Sequence, residues 1–312
     1  MVKERILVNG GAGFIGSHLV HTLIRNDADV IVIDDFSNAS EHFLPKKEVK
    51  LIKMRLPNSN FRKILEEENP SAIFHLASTS YVPPSVEYPI EDLRNNAEVT
   101  LNILEAIRST ASNIPLIYFS SAAVYGNPKK LPITEDDPAD PISPYGVSKL
   151  AAERYVFVYT QIHHIKAASL RLFSVYGPYQ KKQVIFDLID KLHKDPNKLF
   201  VYGDGSEIRD FVYVEDVVNA SLLVLEKGEL KGEVYNVASG EPISIRNLAE
   251  TIVKIIGLQP SIVFSGQVRP GDPLRWEADI TKIKETGYKL FINIEEGLRK
   301  TISWYSQIYN KS

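Results

Sequence analysis

The chain has 312 residues, enough for one large domain or two modest ones, and 44% of them are hydrophobic against 24% charged. That balance excludes wholesale disorder, collagen-like repeats and low-complexity architecture. Thirty-six basic and 39 acidic residues leave a net charge of −3, so no nucleic acid or membrane partner is expected, and the lack of cysteine excludes disulfides and thiolate chemistry.

Short apolar runs at 6–9, 30–33, 50–53, 72–75, 116–120 and 167–171 read as strands. Amphipathic stretches at 15–25, 61–67, 90–107 and 144–159 alternate with them and read as helices. The alternation predicts an α/β fold, a Rossmann-type doubly wound parallel sheet. Burial on both faces explains strands of continuous Val, Ile and Leu. Beyond Gly177 the rhythm shortens, with strands at 200–202, 234–236 and 261–264 and helices at 214–225, 245–256 and 294–305. We therefore expect a dinucleotide-binding domain over 1–177. A smaller C-terminal substrate-binding α/β lobe over 178–312 should follow, with crossings back into the first domain. The start of the chain lacks the long apolar core of a signal peptide, and no later run is long enough to span a bilayer. A cytoplasmic protein is expected.

The first chemical signal is Gly10-Gly11-Ala12-Gly13-Phe14-Ile15-Gly16, directly after the first strand and opening the first helix. Glycines are needed where a backbone turns sharply and a helix N-terminus closes on a pyrophosphate. Glycine turns alone are common, but here Asp34 ends the next strand at the spacing expected of a ribose-binding acid. Its carboxylate would accept bonds from the adenosine ribose and repel a 2′-phosphate, so NAD is favoured over NADP. Asp35 adds to that repulsion.

The second signal is Ser143-Pro144-Tyr145-Gly146-Val147-Ser148-Lys149. Tyr145 and Lys149, four apart, share one face of a helix, and an ammonium beside a phenol favours the phenolate. Such a pair is also an ordinary feature of exposed helices. Upstream, however, the strand through Ser120 delivers Ser121 to the carboxyl edge of the sheet, where ligands bind in this architecture. Of seven histidines, none has a multi-ligand spacing, so no metal is expected.

These motifs resemble those of the extended short-chain dehydrogenases/reductases, and within them the nucleotide-sugar epimerases, the UDP-glucose 4-epimerases most of all. The likeness runs through Phe74-His75-Leu76-Ala77, Asn96, Ser120-Ser121-Ala122-Ala123-Val124-Tyr125-Gly126 and Tyr176-Gly177-Pro178. It continues through Tyr202-Gly203-Asp204-Gly205, Arg209-Asp210-Phe211, Tyr235-Asn236-Val237 and Arg269-Pro270-Gly271-Asp272. It implies a catalytic set of Tyr145 as base, Ser121 on the same sugar oxygen, and Lys149 on the nicotinamide ribose. It implies NAD contacts from Gly10, Gly13, Phe14, Ile15, Gly16, Asp34, Asp35, Leu76, Ala77, Asn96 and Ser120, with Tyr145 and Lys149. Ser121, Tyr145, Ser174, Arg209, Arg269 and Asp272 would face a nucleotide-diphosphate sugar, a UDP-sugar first of all. The two arginines would grip the diphosphate, since guanidinium pairs well with phosphate.

The resemblance further implies a homodimer formed by the helices at 90–107 and 144–159, to which Ala151, Ala152, Tyr155 and Val156 offer small and apolar side chains. Four departures stand out. Ser174 replaces a common Asn, Leu172 a common Tyr, and Met54-Arg55 a frequent Gly-Asp pair, while the segment after Tyr179-Gln180 is short. Ala122 and Ala123 stand where the related 4,6-dehydratases need an acid and a base, so elimination is disfavoured. The rivals are an epimerase of N-acetylated or uronic UDP-sugars, a net dehydrogenase/reductase, and a non-catalytic NAD sensor on the same fold.

Overall fold

The computed structural model describes residues 3–45, 48–79, 82–110, 113–267 and 275–309. Arg269 and Asp272 lie outside the described residues.

The first half alternates as the hydrophobic pattern predicts. β1 (Arg5–Asn9) leads into α1 (Phe14–Arg25), followed by β2 (Asp29–Asp34), β3 (Val49–Lys53), α2 (Phe61–Glu68) and β4 (Ala72–His75). Two short helices, α3 (Val82–Glu87) and α4 (Pro89–Leu93), precede α5 (Val99–Ser109). Then come β5 (Leu116–Ser121), α6 (Pro144–His163), β6 (Ala167–Leu172) and β7 (Ser174–Tyr176). The second half contains α7 (Gln183–Lys194), β8 (Lys198–Val201), β9 (Ile208–Arg209), β10 (Phe211–Tyr213), α8 (Val214–Lys227) and β11 (Lys231–Val237). It closes with β12 (Ile243–Ser244), α9 (Ile245–Ile256), β13 (Ser261–Phe264), α10 (Thr281–Lys284) and α11 (Ile294–Tyr309).

Seven parallel strands form the main sheet in the order β11-β6-β5-β4-β1-β2-β3. Side chains along each strand feed two opposite cores. Ile6 and Val8 of β1 join Leu19 and Val20 of α1 on one face, while Leu7 joins Phe61, Ile103 and Val156 on the other. The chain runs outward from β1 to β3 and then returns to start again at β4 on the other side of β1. That reversal opens a crevice beyond the carboxyl ends of β1 and β4, where α/β proteins bind ligands.

β11 comes from beyond Gly177 yet completes this sheet, pairing with β6 from Ala167 to Leu172. Among the described residues the remaining strands make three two-stranded sheets, β7 of the first half with β10, β9 with β12 and β8 with β13.

Two expectations change. The stretch read as one helix over 90–107 is broken by a π-helical turn at Arg94–Glu98 between α4 and α5. Its cause is a buried side-chain cluster around Asn96, described below, which the hydrophobic period does not reveal. On α6, Ala152 and Val156 are fully buried in the core against the sheet rather than offered outward. Val147, Tyr155, Phe157, Val158 and Ile162 are the exposed large apolar residues of that helix, and α4, packed beside it, exposes Ile90 and Leu93.

Candidate active site

The glycine loop shapes one wall of a cleft of about 1090 Å³. Gly10 has φ +79, and a Cβ there would stand 2.6 Å from the Ala77 nitrogen. A Cβ on Gly16 would collide with the Gly10 carbonyl and come 2.8 Å from the Gly11 Cα. The first turn of α1 thus sits flush on the loop. Gly13 caps it with no side-chain acceptor and the turn carries no acid. Its N–H groups and the helix dipole are available to an anion.

Asp34 closes one end of the cleft. Its carboxylate accepts from the Ala12 N–H at 2.9 Å and the Phe36 N–H at 2.8 Å. Burial raises its pKa, and these backbone bonds oppose the rise. An anion-ready helix end and a fixed acid facing one cleft fit NAD. Gly10, Gly13, Phe14, Ile15, Gly16, Asp35, Leu76 and Ala77 line the same cleft. Arg55 lies across this end, its guanidinium 3.9 Å from Asp35 and 3.4 Å from Glu91. Asn96 does not line the cleft, because the π turn directs its amide to Thr79, Asp92 and Ser148.

The reactive groups meet at the ends of β5 and α6. Ser121 ends β5, and its hydroxyl accepts from the Ala123 N–H at 3.2 Å, capping the turn at Ala122–Tyr125. Ser143 caps α6 by accepting from the Gly146 N–H at 3.1 Å, with Pro144 in the first helical turn. A Cβ on Gly146 would stand 2.5 Å from the Ala123 carbonyl. The missing side chain lets α6 begin against the turn, which brings Tyr145 into hydrogen bonding with Ser121.

Burial pushes the Tyr145 phenol up to about 12, the Ser121 bond pulls it down, and the charge of Asp92 pushes it up. Lys149 is buried, and its ammonium donates to the Phe119 carbonyl at 2.6 Å while lying 4.5 Å from the Tyr118 ring centre. Burial brings it down to about 7, against the pull of Asp92 and Glu153. The four-residue spacing therefore sets Lys149 beside the site, but its hydrogen bond goes to the strand backbone. Ser120 lines the cleft and donates to Glu153 at 3.0 Å.

The far end is built from the second half. Leu172, Ser174 and Arg209 line it. Ser174 is held by its N–H donating to the Asp210 carbonyl at 3.0 Å. The Arg209 guanidinium donates to the Ile208 carbonyl at 2.9 Å and lies 5.7 Å from the Trp276 ring centre. Trp276 also lines the cleft and donates its indole N–H to the Gly126 carbonyl at 3.3 Å. In the short segment after β7, Tyr179 stacks on Phe43 with ring centres 4.3 Å apart, joining the two halves across the cleft.

Sequence reasoning missed Trp276, Phe43 and Asp92. Asp92 alone left a trace, four residues before Asn96. Among the described residues no group of three or more His, Cys, Asp or Glu could hold a metal, and no helix is long and apolar enough to cross a membrane.

A Rossmann-type sheet whose crevice holds a glycine loop, an acid ending the second strand and a Ser/Tyr/Lys set defines a short-chain-dehydrogenase-type enzyme. The family model described as "NAD dependent epimerase/dehydratase family" matches residues 6–238. A putative UDP-glucose 4-epimerase of Methanocaldococcus jannaschii is 35% identical over 304 residues, spanning 96% of this chain and 97% of the relative. The solved UDP-glucose 4-epimerase of Thermotoga maritima with UDP-glucose superposes with TM-score 0.91 at 32% identity, covering 97% of this chain and 99% of that one. The UDP-glucuronic acid 4-epimerase of Bacillus cereus, with UDP-glucuronic acid and NAD, gives TM-score 0.90 at 32% identity, covering 98% and 100%. The chain belongs to the NAD-dependent epimerase/dehydratase family. It is an enzyme of the NAD-dependent epimerase type, and NAD is its cofactor.

Proposed function

We propose that the enzyme interconverts UDP-galactose and UDP-glucose by inverting carbon 4 of the sugar. The observation that carries this reading is the Ser121–Tyr145 pair, which faces the cleft opened by the glycine loop and is followed by Ala122 and Ala123. Those alanines cannot supply the acid and base that elimination of water requires.

Tyr145 takes the proton of the 4-hydroxyl and later returns it, while Ser121 hydrogen-bonds the same oxygen. NAD held in this cleft would supply the hydride acceptor and donor that inversion at carbon 4 requires. Lys149, charged, favours the Tyr145 phenolate. Arg209 would grip the diphosphate at a distance from carbon 4, leaving the sugar ring free to turn.

The test is to mix the purified protein with UDP-galactose, without added cofactor, and to quantify UDP-glucose by chromatography. Conversion to an equilibrium mixture without net NADH supports the reading. Absence of conversion even with added NAD removes this substrate, and N-acetylated and uronic UDP-sugars are then assayed. Net NADH would instead indicate a dehydrogenase of the same superfamily.

The exposed Ile90, Leu93, Tyr155, Val158 and Ile162 of α4 and α6 favour a homodimer through these helices. A monomer mass by light scattering at micromolar concentration would refute it.

A further inference from the structure

Around the reactive pair lie four buried charged side chains, Lys149 and Asp92 at the cleft wall, together with Arg171 and Glu153. A charge withdrawn from water needs an opposite charge or dense hydrogen bonding to keep it ionised. Arg171 and Glu153 satisfy one another: the guanidinium meets the two carboxylate oxygens at 2.6 and 3.0 Å. Their charges offset one another in this pair, although Glu153 also receives the Ser120 hydroxyl and still adds, after Asp92, to the pull on the Lys149 ammonium. One cation and one anion remain.

Asp92 is 3% exposed, and every side-chain partner of its carboxylate is neutral. Thr79 donates at 2.6 Å and the Asn96 amide at 3.1 Å to one oxygen, and Ser148 donates at 2.5 Å to the other. Ser148 adjoins Lys149 on α6. The remaining titratable groups near Lys149 bring no net charge. Tyr118 of β5 presents its ring face, Tyr145 is a neutral phenol at rest, and His75 of β4 is held down to about 3 by burial and by Lys149 itself.

The geometry points to Asp92 as the counter-charge of Lys149, a positioning carboxylate that keeps the ammonium charged in a buried site and so sustains its help to Tyr145. The inference rests on the epimerase reading only for the use made of Tyr145; the pairing of charges holds whatever the sugar. The π turn follows from the same arrangement, because Asn96 must face Asp92 and Ser148 together. Asp92 also pushes the Tyr145 phenol upward, so it supports the base through Lys149 while opposing it directly.

The test reads Lys149 itself, by carbon NMR of protein labelled at lysine Cε, purified with its NAD, with Lys149→Arg identifying the signal. In Asp92→Asn, which keeps the shape and removes the charge, the Lys149 midpoint is expected to fall by about one pH unit, a tenfold loss of proton affinity. Ser148→Ala leaves the charge but strips a donor from it, so the midpoint should rise by about a few tenths of a unit. An unchanged midpoint in a folded Asp92→Asn protein overturns the proposal. Should that variant fail to fold, Ser148→Ala decides alone: a rise supports the counter-charge and an unmoved midpoint overturns it.

The alkaline limb of the pH dependence of kcat should move down with the midpoint in Asp92→Asn. A purely structural role would lower kcat without moving that limb. If the wild type turns over no UDP-sugar, the epimerase reading fails while the NMR midpoint still judges the charge pairing.

Discussion

The two ends of the cleft are made of different materials. The dinucleotide end is largely backbone: a glycine loop, a bare helix N-terminus and an acid fixed by the Ala12 and Phe36 N–H groups. The opposite end, where we propose the sugar nucleotide sits, is largely side chains from scattered elements, with Arg209 of β9, Ser174 of β7 and Trp276 near the end of the fold. A backbone site requires particular residues at fixed spacing, whereas a side-chain site can be filled from many places. The first therefore constrains the fold and the second the choice of substrate.

The sharpest separation of the two ends comes from Tyr145→Phe. Removal of the proton carrier should lower kcat by about 10²- to 10⁴-fold, with the NAD that copurifies, measured by absorbance after extraction, unchanged. Unaltered turnover would point to a sensor or to another base. Gly16→Ala attacks the other end. The new methyl must displace the Gly10 carbonyl, so we expect about 1–3 kcal/mol of destabilisation by urea titration and loss of copurified NAD.

Arg209→Ala should raise KM by about tenfold or more, as expected for a lost charge-assisted phosphate contact, and leave NAD content intact. A fall in NAD instead would mean that the two ends are not separable. An effect on stability alone concerns His75, at the end of β4, which burial holds neutral down to about pH 3. Its folded pKa lies below its unfolded value of about 6.5, so its contribution is complete above pH 6.5 and is lost as pH falls toward 3. Between pH 7 and 5 this amounts to about 2 kcal/mol, and His75→Gln should flatten the urea stability curve over that window.

The same contrast explains what could be read from the residues. Continuous Val/Ile/Leu runs fixed six of the seven sheet strands to within a residue or so, because burial on both faces leaves little choice of side chain. Gly10, Gly16 and Asp34 were legible because each meets a steric or hydrogen-bonding demand set by its immediate neighbours. Trp276 was not, since its partners Gly126 and Arg209 are distant in the chain. The π turn escaped because it depends on Ser148, 52 residues after Asn96, rather than on any local pattern. Ala152 and Val156 were assigned to the wrong face of α6, since a helix with apolar residues on both sides does not declare which one meets the sheet.

The strand β11 has a consequence for how the chain is made. The nucleotide-binding sheet is unfinished until residue 237 has left the ribosome, although its first six strands are present by residue 172. In the interval β6 carries an open edge, with unpaired amides and carbonyls ready to join a neighbouring nascent chain. The intervening segments, β7 to α8, are thus synthesised while the first half waits for its last strand. A fragment cut at Gly177 would keep the glycine loop, Tyr145 and Lys149, but would expose that edge permanently and be drawn toward aggregation. The early motifs of the sequence depend on its later portion for their solubility.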